Sequence, residues 1–282
     1  MHRLNSWRSR GNPMPSDKSA HVLVRGGGDL ATGVALRLYR AGIRVVITEL
    51  AQPLAVRRTV SFAEAVYAGH HKVEGVTARL VKRDQLQASL NADEIPVLID
   101  PDADILSTFH FPIVVDARLM KQSPSPLSTP IPLHIGLGPG FHAGENCHAV
   151  IETRRSHTLG RVYWTGTTQP DSGEPEGDPR RVLRAPGDGV LLSKAKIGDY
   201  VDEGQTLAMI GGTWEVVSPF RGILRGLIHD GLHATRGMKI GDVDARNDAS
   251  ACLLVSDKAL AIGGGVLEAI LSKEEIRKGI YG

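Results

Sequence analysis

HVLVRGGGDLATGVALRLYRAGIRVVITE, residues 21 to 49, reads as strand, glycine turn, helix and second strand, closing on a carboxylate. Gly26, Gly28 and Ala31 have the G-x-G-x-x-G/A spacing, which allows a tight turn, close backbone approach to a pyrophosphate and close packing of helix on sheet. Gly27, Asp29 and Leu30 fill the rest of the turn, so the candidate cofactor-binding set is Gly26, Gly27, Gly28, Asp29, Leu30, Ala31 and Glu49. His21 to Val24 form a short apolar strand. Val34, Ala35, Leu38 and Ala41 then recur at helical spacing, and Gly42 is placed to end the helix. Glu49 stands about 20 residues beyond the turn, where a carboxylate accepts a ribose 2′-hydroxyl and opposes a 2′-phosphate. Asp29 is the discordant residue, because an acid beside a pyrophosphate repels it while also suiting a helix N-terminus. A P-loop is excluded, since Val34 and Ala35 replace the Lys and Ser/Thr that phosphate and magnesium require.

Strand and helix continue to alternate after Glu49. Ser61 and Glu64 predict a capping box before a short helix through Tyr67, and Val76, Ala78 and Leu80 alternate as a half-buried strand. Leu86 and Leu90 mark another helix; Ile95 to Ile99 and Ile113 to Val115 are further strands. Residues 21–118 are thus expected to form a Rossmann-like parallel domain of about five strands. The proline-rich run SPSPLSTPIP, residues 123 to 132, reads as a connector to a second module. Residues 119–180 then form a middle region rich in Gly, His and Arg, ending in the polar stretch TTQPDSGEPEGDPR.

A gapless internal repeat follows. APGDGVLLSKAKIGDYVDEGQTLAMI, from residue 185, matches SPFRGILRGLIHDGLHATRGMKIGDV, from residue 218, so that Pro186 falls on Pro219, Gly189 on Gly222, Gly198 on Gly231 and Gly204 on Gly237. Each copy is too small to bury a face alone, so the two must pack together as a β sandwich. The pattern resembles the barrel-sandwich hybrid of biotinyl and lipoyl carrier domains. GGTWEVV, residues 211 to 217, lacks the lysine a swinging arm needs, which leaves residues 181–255 as a packing or docking module. Trp214 is either a contact anchor or a turn aromatic. The fold class expected is therefore α/β, with a Rossmann-like sheet followed by a mainly β module and a helical segment over residues 256–282.

Other chemistry is diffuse. Thirty-three basic and thirty-one acidic residues give a net charge of +2, which argues against nucleic acid or a membrane surface as partner. Cys147 and Cys252 form no C-x-x-C, in keeping with a reducing, cytoplasmic setting. Residues 1–20 are basic and polar, lack the apolar core of a secretory signal, and read as a disordered tail. His134, His142, Cys147, His148 and His157 crowd the middle region without a zinc spacing, so no metal is expected. Arg154, Arg155 and Arg161 either grip an anion or form a solvated basic face, and Arg57 and Arg58 are placed to reach an outer phosphate. Asp242 and Asp244 share one face of an extended segment. Ser256, ahead of the glycine triplet in SDKALAIGGGVLEAIL, reads as a helix cap.

RGGGDLATGVALRL, PLAVRRTVSFAEAV, GLGPGF, VIETRRSHTLGRV, RVLRAP, RGLIHDG, KIGDVDAR and SDKALAIGGGVLEAIL occur in this order from residue 25 onward. Together they resemble the YqeB-type proteins of the selenium-dependent molybdenum hydroxylase system. The resemblance implies an accessory, maturation-type protein partnered with a molybdenum hydroxylase or its maturation machinery. It also links the glycine turn to molybdopterin dinucleotide, whose pyrophosphate suits a helix N-terminus. Two other readings stay open: an NAD-dependent oxidoreductase, and a scaffold with an empty turn.

Overall fold

The computed structural model describes residues 21–127, 129–173, 177–246 and 248–281; the tail expected over residues 1–20 lies outside the described residues. The opening stretch forms β1 (His21–Arg25), α1 (Asp29–Arg40) and β2 (Arg44–Glu49). Gly42, at φ +80°, takes the left-handed conformation that turns the chain out of α1. Next come α2 (Ala65–Ala68), β3 (His70–Val73), β4 (Val76–Leu80), α3 (Leu86–Asn91), β5 (Ile95–Ile99) and β6 (Ile113–Asp116). The predicted capping box does not form. Ser61 Oγ instead donates to Arg57 O at 2.8 Å, and the Glu64 carboxylate pairs with Arg58 at 2.8 Å. A nearby guanidinium competes successfully for the carboxylate that the box would have used.

Beyond β6 lie β7 (Leu133–Leu137), β8 (His142–Ala143), β9 (Ala149–Ile151), β10 (Val162–Tyr163) and β11 (Gly166–Thr167). Among the described residues, the main sheet has nine strands in the order β10-β9-β7-β6-β1-β2-β5-β4-β3. It is parallel from β9 to β4 and antiparallel at its two edges, β10 and β3. The sheet therefore does not stop near residue 118. β7 pairs in parallel with β6, and β9 with β7, so the middle region extends the first unit rather than opening a second. The prolines of residues 123–132 lie in the connection between β6 and β7, where no ladder hydrogen bond is lost.

Alternation along the parallel strands supplies a core on each face. Val22, Val24 and Ile47 join α1 on one side, while Leu23, Val46 and Val114 meet Leu86, Leu90 and Phe111 on the other. The helix layer over the first face is completed from the far end of the chain, by α4 (Asp257–Ser272), which is followed by α5 (Glu274–Tyr281). Gly33 of α1 and Gly263 of α4 serve this packing. A Cβ on Gly33 would lie 2.6 Å from Ala259 Cβ, and one on Gly263 would lie 2.7 Å from Gly33 O. The segment expected to stand apart over residues 256–282 is thus part of the first unit.

The β module comprises β12 (Val182–Arg184), β13 (Gly189–Ser193), β14 (Tyr200–Val201), β15 (Thr206–Ile210), β16 (Trp214–Val217), β17 (Gly222–Leu227), β18 (His233–Ala234) and β19 (Lys239–Asp244). They make two four-stranded sheets, β12-β19-β17-β14 and β16-β15-β13-β18, around a separate core that includes Leu191, Leu207, Leu224 and Ile240. The repeat is visible in the pairing itself. Val190 faces His233 across β13 and β18, and the equivalent Ile223 faces Tyr200 across β17 and β14, so each copy lends its short middle strand to the other copy's sheet. Among the described residues, no helix is long and apolar enough to cross a membrane.

Candidate functional site

The glycine turn has a closed flank and an open one. Gly26 adopts φ +92°, and its amide donates to Thr48 O at 2.8 Å, which bends the chain away from β1. Gly27 O accepts from Ala63 N at 2.8 Å and from Thr32 Oγ1 at 3.2 Å. A Cβ on Gly27 would lie 2.9 Å from Ala63 N, so the crossing of the 3-10 turn Phe62–Glu64 requires glycine there. Gly28 differs. Its φ is −63°, and a Cβ built on it would meet nothing within 4 Å. Gly28, Asp29 and Leu30 line a cleft of about 410 Å³, whereas Ala31 is buried in the core beneath α1.

Glu49 lies beside the turn, with its carboxylate directed at the chain's own amides. Oε1 accepts from Gly27 N at 2.7 Å and Oε2 from Leu50 N at 2.6 Å. Burial raises its pKa above the usual carboxylate range, and these two bonds oppose the rise. Glu49 thus braces the turn. A ribose contact would have to use the remaining lone pairs of the same oxygens. Asp29 takes the amide of Leu30 on Oδ1 at 2.9 Å, and its Oδ2 sits 3.5 Å from Arg57 Nη1. Its charge is thereby matched by a guanidinium and by the positive end of α1.

The remaining lining is strongly cationic. Among the described residues, Arg57, Arg155, Arg181, Arg225, Lys239 and Lys258 share the cleft with two carboxylates, Asp29 and Asp242. Two helix starts, those of α1 and α4, open onto it. Ser256 lines it too and caps α4, its Oγ accepting from Ala259 N at 3.1 Å. Arg155 grips Asp257 with two bonds of 2.6 and 2.8 Å, which hold that carboxyl far below its ordinary pKa. Asp242 is buried at 1% exposure and accepts from Arg181 and Arg225 together. Arg225 also reaches Asp244 at 3.0 Å; the Asp244 carboxyl, hydrogen-bonded chiefly by Arg246, is pulled down to about 2. The cleft opens into two neighbouring hollows of about 680 and 850 Å³, both of which share Arg155 and Arg181 with it.

The other candidates fall elsewhere. Arg58 turns to Glu64 and to Leu227 O at 2.8 Å, fastening the β module rather than lining the cleft. Arg154 lines one of the neighbouring hollows. His134, Cys147 and His148 sit in a separate hollow with Trp164, where His148 Nδ1 accepts from His134 N at 2.9 Å. Burial pushes the Cys147 thiol up to about 11. Among the described residues, no group of three or more His, Cys, Asp or Glu side chains is placed to hold a metal ion. Trp214 is 49% exposed and leans on Gly187, where a Cβ would lie 2.3 Å from its Nε1.

Sequence reasoning missed Arg181, Arg225, Lys239 and Lys258, although a signal for two of them lies in the repeat. Arg225 occupies the position of Leu192 in the first copy, Lys239 that of Thr206, and Asp242, the partner of Arg225, that of Met209. The second copy thus places ionised residues where the first has neutral ones.

No protein-family model matches the chain. Over 264 residues it is 47% identical to the Uncharacterized protein YqeB of Escherichia coli (strain K12), a match covering 91% of this chain and 49% of that protein. The chain spans about half the length of that relative, and the likeness supports the YqeB family. Among solved structures, it is similar to the Ectoine utilization protein EutE (DoeB) from Ruegeria pomeroyi in its apo form, with 11% identity, a TM-score of 0.25, and coverage of 81% of this chain and 87% of the other. An aspartoacylase family protein from Mesorhizobium loti aligns with 12% identity and a TM-score of 0.27 over 80% of this chain and 85% of its own. At such scores neither likeness carries an argument.

Proposed function

Given kinship with YqeB over 91% of the chain, we propose that this protein is an accessory factor of a selenium-dependent molybdenum hydroxylase system that binds a dinucleotide in the cationic cleft. The observation that carries the binding reading is the convergence of the open start of α1, at Gly28 to Leu30, with six basic side chains in one cleft. The first amides of a helix have no intrahelical partner, and the helix dipole adds positive potential at the same end. A pyrophosphate placed there meets donors and cations together. The adjoining hollows supply length for the two outer moieties. Molybdopterin dinucleotide fits this cradle by the same chemistry as NAD does: Gly28, Arg57 and Lys258 would hold its diphosphate, and the bound group would supply the metal-carrying pterin for delivery to a hydroxylase. The β module, whose two interleaved halves read as a barrel-sandwich hybrid without the carrier lysine, forms one wall of the site.

Titration of the purified chain with ADP, NAD, NADP and molybdopterin dinucleotide tests the reading. Gly28→Leu places a side chain in open space at an ordinary φ, so it should leave thermal stability nearly unchanged and weaken binding at least about tenfold. Glu49→Ala, run beside it, should loosen the turn and lower affinity through Gly27. Failure of all four ligands to bind would overturn the reading. Hydride transfer from NADH to an acceptor would instead favour an oxidoreductase.

A further inference from the structure

One residue at the lip of the cleft holds an unfavourable backbone. Leu119 takes φ +56°, in the left-handed region that L side chains rarely adopt, and of the described non-glycine residues at positive φ it is the one that lines the cleft. Its flanks fix it there. On one side the guanidinium of Arg118 grips the buried Asp116 with bonds of 2.9 and 2.7 Å. On the other, the GLGPGF loop after β7 presses on the chain, since a Cβ on Gly140 would lie 2.4 Å from Met120 O and 2.7 Å from Gln122 O. A Cβ on Gly138, in the same loop, would lie 4.0 Å from Leu119 Cδ2. Burial in a core is not what this strain secures, because Leu119 stays 37% exposed. A left-handed leucine persists only where its surroundings over-determine it, and such positions gather at ligand sites.

Leu119 stands where the cleft opens into the hollow of about 680 Å³, and both spaces are lined by it and by Leu30. Pro139 of the glycine loop and Pro170 add apolar surface to that hollow, while Thr153 and Gln169 add polar groups. Apolar walls with a few polar groups suit a flat heterocycle, which is apolar on its faces and hydrogen-bonding at its edge. The other hollow, of about 850 Å³, is walled largely by arginine and aspartate side chains. Resting on the dinucleotide-cleft reading, we infer that Leu119 is a specificity residue, the platform on which a planar heterocycle carried by the diphosphate is seated as it enters the 680 Å³ hollow. The phosphates lie against Gly28 to Leu30, and the ring lies one step further out, with its face on Leu119.

Isothermal titration of the full chain with pyrophosphate and with ADP, at one pH and ionic strength, decides the matter. ADP carries no more charge than pyrophosphate, yet it should bind about tenfold or more tightly because its ring is held. Leu119→Gly relaxes the left-handed backbone, so the thermal midpoint should not fall. In that variant ADP affinity should drop about tenfold while pyrophosphate affinity changes by less than about twofold. Leu119→Asn tolerates the same backbone but offers a polar side chain, and it should repeat the selective loss. Equal affinities of the wild type for the two ligands, or variants that weaken both alike or leave the ADP advantage in place, would overturn the inference while leaving the diphosphate site intact. If neither ligand binds, the dinucleotide reading falls with it.

Discussion

Glu49, expected to accept a ribose 2′-hydroxyl, commits its two carboxylate oxygens to the amides of Gly27 and Leu50, which makes it a brace for the turn. Its position was legible because the spacing from glycine turn to second-strand tip is set by one helix and one strand. The direction of its carboxylate was not, since that depends on which amides the turn leaves unpaired. His134 shows the same limit. Burial holds its imidazole down to about 4, with Nε2 lacking a hydrogen-bond partner among the described residues. The unfolded chain takes up that proton near pH 6.5 and the folded chain does not, so the unfolded state binds more protons between pH 6.5 and 4. Stability attributable to this residue is complete above about pH 6.5 and declines as pH falls toward 4, by up to about 1.4 kcal/mol per pH unit. Denaturant unfolding at several pH values should show the gap between wild type and His134→Gln narrowing over that window; a constant gap would refute the assignment.

Among the elements, β1, α1 and β2 were readable because each follows from local chemistry: an apolar run, a helical period, a glycine stop. The crossing of α1 with α4 was hidden, because a glycine triplet in a helix looks the same whether it serves a ligand or a neighbour. The structure separates the glycines by what surrounds them. Gly33→Ala would normally favour a helix by about 1 kcal/mol, but its Cβ would collide with Ala259, so a net loss of about 1–3 kcal/mol is expected. Gly264→Ala meets nothing within 4 Å and should be neutral or stabilising by up to about 1 kcal/mol. Thermal unfolding of the pair checks both signs; a stabilised Gly33→Ala would mean that the two helices do not approach this closely. The charged departures from the repeat are also an element-scale signal. Leu192 lies on β13, in a sheet whose face here is exposed, while its counterpart Arg225 lies on β17 and lines the cleft.

At the scale of the whole molecule, the cleft exists because the β module is pinned against residues 54–58. Leu227 N donates to Val56 O at 2.9 Å, and Arg57 Nη2 reaches Ala251 O and Leu254 O at 3.3 and 3.1 Å. Gly226 permits the contact, since a Cβ there would lie 2.9 Å from Val56 O. Gly226→Val should therefore separate the two walls and weaken anion binding by about tenfold or more, while hydrogen exchange still finds the amides of Leu207 and Leu224 protected inside the module's own core. Retained affinity would show that the walls act independently. Sequence reasoning divided the chain at a proline-rich loop because composition marks loops well and domain limits poorly. Pairing of β6 with β7 and of α1 with α4 is non-local, and no window of residues reports it. That last pairing also bears on how the protein is made. A ribosome releases α4 well after α1, so part of one face of the main sheet must stay uncovered while the β module between them is synthesised and folds. Emergence of residues 257–272 is the event that seals it, and until then the nascent chain presents apolar surface to chaperones and to other copies of itself.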